Sequence, residues 1–381
     1  MDELAAIIED RGASDRTAVL ATVVHVRGSA YRRPGARMLI LGDGRRIGTI
    51  SGGCLESDVI RKAWWWTDGG ASVRVFDNTV EDAAFDLGLG CNGVITVLLE
   101  RAADSRVQEM LDFLEERRAQ RGGAVVATVV ATTDDGDAIG DRVLFDGSEI
   151  VAGSEGCIAG RIDEALRATY DERKSRLVHL DDADVFVEWV APPQRLFLFG
   201  GGHDAIPLAN VAAMMGWSVT VADTRAAHLR PERFPEADRL FQIPASDDVS
   251  ALGIGPEDAA ILMTHSYPQD LALLPHLLAA QPRYLGLLGP RMRAERLFEE
   301  VGGDVSAGNV HAPIGLDIGG DRPESIALSI AAEIQAVLQD HSAAPLRHRE
   351  GAIHAPAIEL GRADVRRTEP TIHPECGLAR A

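Results

Sequence analysis

Apolar positions follow two regimes along the chain. In the first, residues 17–26, 38–41 and 47–50 are short β-rich blocks, and Gly42-Asp43-Gly44 supplies a hairpin turn between the last two. Residues 55–66 read as a helix and 73–76 and 94–99 as further strands, with an irregular, glycine-marked stretch at 86–93. Together they predict a small α+β domain. Beyond it, Val107, Met110, Leu111 and Leu114 recur at helical spacing within 105–120, followed by strand-like runs at 124–131 and 142–145, a helix near 161–176 and a strand at 185–190. Ala191-Pro192-Pro193-Gln194 reads as a linker, because two successive prolines continue neither a helix nor a central strand.

In the second regime strand and helix alternate: strands at 196–199, 218–222, 260–263 and 284–288, helices at 205–215, 271–280, 291–301 and 323–338. Asp321 and Glu324 are spaced as a capping box for the last helix. Such alternation predicts a parallel, doubly wound sheet. The expected fold class is therefore α/β, an N-terminal α+β domain followed by a C-terminal Rossmann-like doubly wound parallel sheet. Its expected divisions are 1–104, a bridging α/β segment 105–190 that completes the N-terminal half, 195–340, and a flexible tail 341–381 that has no aromatic residue.

Composition narrows the function classes. The 381 residues are 46% hydrophobic and 25% charged, values of a folded globular chain. A net charge of −20 opposes a polyanion, so nucleic acid is not an expected partner. No basic leader precedes an apolar stretch, and no run reaches the roughly 18 apolar residues of a membrane span. Cys54, Cys91, Cys157 and Cys376 form neither a paired metal motif nor a dense disulfide framework, which points to reduced thiols and a cytoplasmic protein.

The most specific motif is Gly200-Gly201-Gly202-His203-Asp204-Ala205, a G-x-G-x-x-A turn directly after an apolar strand and opening a helix. The first glycine suits the tight turn, the second lets a pyrophosphate approach the backbone, and helix amides face the anion. Asp223 ends the next strand about 20 residues on, where an acidic side chain bonds a ribose diol. Asp204 opposes ordinary NAD: placed before the helix, its carboxylate is expected to cap the free amides and repel a pyrophosphate. The glycines also suit a purely structural turn. Thr264-His265 follows another strand of the same set, so His203 and His265 are expected at one sheet edge, as hydrogen-bond donors or proton carriers.

Two cysteines stand among glycines. Ser51-Gly52-Gly53-Cys54-Leu55-Glu56 joins a strand to a helix, so Cys54 is expected near a helix N-terminus, where the dipole favours thiolate. Cys91 lies in Gly88-Leu89-Gly90-Cys91-Asn92-Gly93. Cys157 and Cys376 read as inert thiols. Arg16, Arg27, Arg32, Arg33 and Arg37 fall in a stretch without acidic residues, suited either to solvent or to a phosphate. Trp64-Trp65-Trp66 ends a helix and is expected at a domain or subunit interface.

Arg27-Gly28-Ser29, Arg33-Pro34-Gly35, the Cys54 and Cys91 segments, the His203 loop, Thr264-His265 with Asp270, Gly286-Leu287-Leu288-Gly289 and the 314–319 segment together resemble the XdhC/CoxI-type accessory proteins, the maturation factors of xanthine dehydrogenase. The resemblance covers most of residues 1–340 and departs at Asn92 and Pro290, where glycine and serine are frequent. It implies a chaperone that binds the molybdenum cofactor in its molybdopterin form, holds it while a cysteine desulfurase supplies the sulfido ligand, and passes it to a molybdenum hydroxylase such as xanthine or carbon monoxide dehydrogenase. A homodimer is expected. Cys54 and Cys91 are the candidate molybdenum contacts, and Arg27, Arg33, Gly200, Gly202, His203, Asp223 and His265 the other cofactor-binding candidates. Two rival readings remain: an NAD(P)-dependent oxidoreductase, favoured by the fingerprint and Asp223, and a non-catalytic adaptor with a vestigial nucleotide fold.

Overall fold

The computed structural model describes residues 2–11, 18–53, 55–77, 93–133, 137–153, 158–350, 353 and 358–361. The chain divides into two compact units, Glu3–Pro192 with Glu350–Ala381, and Met1–Asp2 with Pro193–Arg349.

The N-terminal unit holds two sheets. Its first comprises β1 (Val19–Gly28), β2 (Arg37–Ile40), β3 (Arg46–Gly48), β4 (Ser72–Asp77) and β5 (Gly93–Arg101), antiparallel in the order β3-β2-β1-β5-β4. The second comprises β6 (Ala124–Thr132), β7 (Arg142–Phe145), β8 (Ile150–Gly153), β9 (Arg176–His179) and β10 (Ala183–Val190), with Ile358–Leu360 added in parallel at the β9 edge. That strand falls within the segment expected as a tail from residue 341, and its backbone groups pair with the β9 edge.

Helices α1 (Glu3–Asp10), α2 (Glu56–Trp66) and α3 (Ser105–Ala119) belong to this unit, as do the short α4 (Ile158–Arg161) and α5 (Asp163–Glu172). The apolar stripe of α3, Val107, Met110, Leu111 and Leu114, packs with Leu20 and Leu39 of the first sheet and Val126 and Leu144 of the second. Its N-cap Asp104 accepts from the Arg106 amide at 2.9 Å. Two buried ion pairs also join the sheets. Arg37 of β2 donates to Glu188 of β10 through Nη1 at 2.8 Å and Nη2 at 2.5 Å, and Arg142 of β7 pairs with Glu100 of β5.

The C-terminal unit is one parallel sheet of β11 (Arg195–Phe199), β12 (Ser218–Asp223), β13 (Arg239–Gln242), β14 (Ala259–Leu262), β15 (Tyr284–Leu287) and β16 (Val310–His311), ordered β13-β12-β11-β14-β15-β16. Alternate residues face opposite sides, as the two-residue period of a strand requires. Leu196 and Leu198 pack under α6 (Ala205–Met214) and α9 (Pro323–Leu338), whereas Phe197 and Phe199 pack under α7 (Tyr267–Ala280) and α8 (Arg291–Val301). This is the doubly wound sheet the alternation predicts. The entry to α9 differs from expectation: its N-cap is Arg322, not Asp321, and the Arg322 amide donates to Ser325 Oγ at 3.1 Å. Among the described residues, no helix is long and apolar enough to cross a membrane.

Candidate functional site

The strand order of the C-terminal sheet reverses between β11 and β14. In doubly wound sheets such a reversal opens a crevice at the carboxyl ends of the strands, where ligands bind. The glycine loop leaves β11 there, and Thr264-His265 follows β14. Gly200 has φ +120°, and a Cβ on it would lie 2.4 Å from the Met263 carbonyl oxygen, so this turn admits only glycine.

Asp223, the expected ribose partner, is fully enclosed. Its carboxylate accepts from the Gly201 amide at 2.8 Å, from the Arg225 amide at 2.8 Å, and from Arg225 Nε and Nη2 at 2.9 Å each. Burial pushes its pKa up, but the hydrogen bonds from Arg225 and Gly201 prevail and hold it at about 2. Asp223 therefore clamps the glycine loop to the end of β12. Sequence alone does not single out Arg225, although its place two residues beyond a strand-end acid is a usable signal.

Asp204 stands at the start of α6 but makes no side-chain cap hydrogen bond, contrary to the expectation from sequence. Its Oδ2 instead pairs with His265 Nε2 at 2.7 Å. His265 is 63% exposed and has φ +59°, a left-handed backbone uncommon outside glycine. Asp204 Oδ1 is buried and, among the described residues, has no hydrogen-bond partner. A Cβ on Gly202 would lie 2.7 Å from that oxygen and 3.7 Å from His265 Cδ2, so the space spared by Gly202 is taken by the protein's own carboxylate and imidazole. His203 is exposed at the same turn. The structure thus brings Gly200, Gly202, His203, Asp223 and His265 to one edge.

A second network lies on that edge. Thr264 Oγ1 donates to Asp270 Oδ1 at 2.5 Å and Arg293 Nη2 to Asp270 Oδ2 at 2.6 Å, which ties the loop after β14 to the first turn of α8. Pro290 is the N-cap of α8 and supplies no side-chain cap, unlike the serine frequent at that place in the resembled family. Gly315, in the 314–319 segment, donates its amide to Glu333 at 2.8 Å, the carboxylate that also accepts from the buried Tyr284 hydroxyl at 2.5 Å. Arg293 and Glu333 are invisible from sequence because their partners come from other elements.

In the N-terminal unit, buried Glu56 organises the loop that contains position 54. It accepts from the Ser51 amide at 2.8 Å, from Thr49 Oγ1 at 2.5 Å and from Ser51 Oγ, which itself accepts from the Gly53 and Leu55 amides at 3.2 Å. Burial pushes the Glu56 pKa up, and the Ser51 and Thr49 hydrogen bonds more than offset it, leaving it lowered. Helix α2 begins at Glu56, and Gly53 has φ +113° with open space around its Cα. Cys54, Cys91, Asn92, Cys157 and Cys376 lie outside the described residues.

The arginine segment divides. Arg37 is buried against Glu188 and Arg32 pairs with Glu3, which corrects the picture of one cationic surface. Arg27 is exposed at the end of β1 and Arg33 is half-buried, while Arg16 lies outside the described residues. The tryptophan run divides too: Trp66 is a core residue, 6.2 Å from the Phe76 ring, and Trp65 is 76% exposed. Among the described residues, no group of three or more histidine, cysteine, aspartate or glutamate side chains is arranged to hold a metal ion.

The sheet, its switch-point glycine loop and the preceding two-sheet unit define a protein with a Rossmann-type domain behind a distinct N-terminal unit. The chain belongs to the XdhC and CoxI family. The family's own description matches residues 12–77, and that of the XdhC Rossmann domain matches residues 196–334. A protein of Bacillus subtilis named as a probable xanthine dehydrogenase subunit is 34% identical over 336 residues, 87% of this chain and 95% of that protein. The molybdenum cofactor insertion chaperone PaoD from Escherichia coli is 25% identical over 336 residues, 85% of this chain and 84% of that protein. A crystal structure described as a xanthine dehydrogenase from Bacillus halodurans superposes with a TM-score of 0.74 at 28% identity, covering 91% of this chain and 99% of that one.

Proposed function

We propose that this protein is an accessory factor of a xanthine dehydrogenase-type molybdenum enzyme, a cytoplasmic chaperone whose cargo is the molybdenum cofactor in its molybdopterin form. It holds the cofactor while a cysteine desulfurase supplies the terminal sulfido ligand, then delivers it to a molybdenum hydroxylase such as xanthine or carbon monoxide dehydrogenase. The relative named as a molybdenum cofactor insertion chaperone supports this reading. The observation that carries it against an NAD(P)-dependent oxidoreductase is the use of both dinucleotide features internally: Asp223 binds Gly201 and Arg225, and Asp204 lies against Gly202.

In this reading Cys54 and Cys91 are the soft sulfur donors suited to molybdenum. Arg27 and Arg33 pair with the cofactor phosphate. Gly200, Gly202, His203 and His265 form the walls of the switch-point crevice, and Asp223 positions them. The test uses protein purified from a host that makes molybdenum cofactor, with molybdenum measured by mass spectrometry and pterin by fluorescence after oxidation, per mole of folded monomer. Wild type and Cys157→Ala should carry both, whereas Cys54→Ala and Cys91→Ala should lose them. Equal contents in all four would remove the cysteines from the site. Wild type without pterin would favour the adaptor, and tight NAD binding in a calorimeter would favour the oxidoreductase.

A further inference from the structure

The Asp204 carboxylate, half-buried with one oxygen enclosed, differs from the buried acids near it in the C-terminal unit. Asp223 and Asp270 have both oxygens bound by protein donors. Asp204 has one oxygen on an exposed imidazole and the other buried without any donor. A carboxylate accepts through two oxygens in one plane, and an unmet acceptor away from water is unfavourable. This incomplete carboxylate stands at the topological switch point, against the side-chain-free backbone of Gly202, and its other oxygen holds the exposed His265 imidazole.

We infer that Asp204 is the recognition carboxylate of the crevice, and that its ligand is a planar heterocycle presenting two adjacent N–H donors, the 2-amino-4-oxopyrimidine edge of a pterin. Two parallel N–H groups match the two oxygens of a carboxylate in the way a guanidinium does. The pterin edge takes the place of the His265 imidazole on Oδ2 and brings Oδ1 the donor it lacks. The same charge turns away a pyrophosphate, whose approach along Gly202 would meet an anion 2.7 Å from a Cβ position. His265 is then a placeholder, held in reach by its left-handed backbone and displaced when cargo enters.

The inference rests on the cofactor-chaperone reading for the identity of the natural ligand, but it is tested on the full chain with free 6-hydroxymethylpterin and inorganic pyrophosphate as probes. Wild type should bind the pterin, followed by its fluorescence, and not pyrophosphate. Asp204→Asn keeps the shape and replaces one acceptor by a donor, so pterin affinity should fall at least tenfold with the thermal midpoint little changed. Undiminished pterin binding by folded Asp204→Asn, or absence of pterin binding by wild type, would each overturn the inference. Its failure is distinct from that of the chaperone reading: Asp204→Asn purified with wild-type molybdenum and pterin contents refutes the role of Asp204 alone, whereas wild type purified without either refutes the cargo.

Discussion

In the N-terminal unit the most buried ion pairs run between sheets, Arg37 to Glu188 and Arg142 to Glu100. In the C-terminal unit Asp223 and Asp270 are as buried, yet their partners are loop amides, a hydroxyl and arginines at one edge of one sheet. The contrast separates two uses of buried charge. Where both partners stand on strands, the pair fixes how two sheets pack; where a carboxylate gathers loop donors, it fixes the geometry of the loops at a sheet edge. Only the second kind points toward function.

The largest effect is expected from breaking a sheet-to-sheet pair. Glu100→Ala leaves the Arg142 guanidinium, 5% exposed, without its carboxylate, and should destabilise the N-terminal unit by about 3–5 kcal/mol in urea unfolding. Replacing both members, Glu100→Leu with Arg142→Met, should recover most of that loss, because the cost lies in the stranded charge. A single variant as stable as wild type would show that these pairs are not what holds the sheets in register.

The edge carboxylates should reveal themselves through pH. Asp223 has its pKa lowered from 3.8 to about 2 in the folded protein, so its stabilising contribution is complete above about pH 4 and declines as pH falls through 2. The shift corresponds to about 2 kcal/mol. Asp223→Asn should therefore be less stable than wild type at pH 6, by a gap that holds down to about pH 4 and narrows from there toward pH 2. A gap that stays constant over that range would mean that the carboxylate charge is not what clamps the glycine loop.

The same contrast explains what can be read from the sequence. The strands β11, β12, β14 and β15 are buried apolar runs separated by helices, so their order of appearance is legible. Strand β13, Arg239–Gln242, has only two adjacent apolar residues and none fully buried, and β8, Ile150–Gly153, is a mostly exposed run of four, so neither is long enough to stand out. Helix α1 is not evident although Leu4, Ile7 and Ile8 are helically spaced, because eight residues make a weak pattern. At the site, the glycine loop is legible as a local motif. The Asp204 partnership with His265 spans 61 residues and the Arg37 partnership with Glu188 spans 151, and one-dimensional spacing contains neither. That is why Asp204 reads in the sequence as a helix cap, and Arg37 as one member of a cationic stretch.

The smallest effect is expected where charge is neither buried nor a loop organiser. Glu359, in the strand Ile358–Leu360, accepts a hydrogen bond from His25 Nε2 at 2.8 Å and lies 3.8 Å from His179 Nε2. Its side chain is 41% exposed, so water competes for the carboxylate and the interaction is worth under about 1 kcal/mol. The strand itself is bound by its parallel pairing with β9, Ile358 opposite Arg176 and Leu360 opposite Val178, which a side-chain change leaves in place. Glu359→Ala should accordingly leave the urea midpoint of the N-terminal unit within error while speeding amide exchange in residues 358–360, since local opening of an edge strand costs less than global unfolding. Should the midpoint fall as far as in Glu100→Ala, exposure would not be what separates the charges that hold this unit together from those that only fasten its rim.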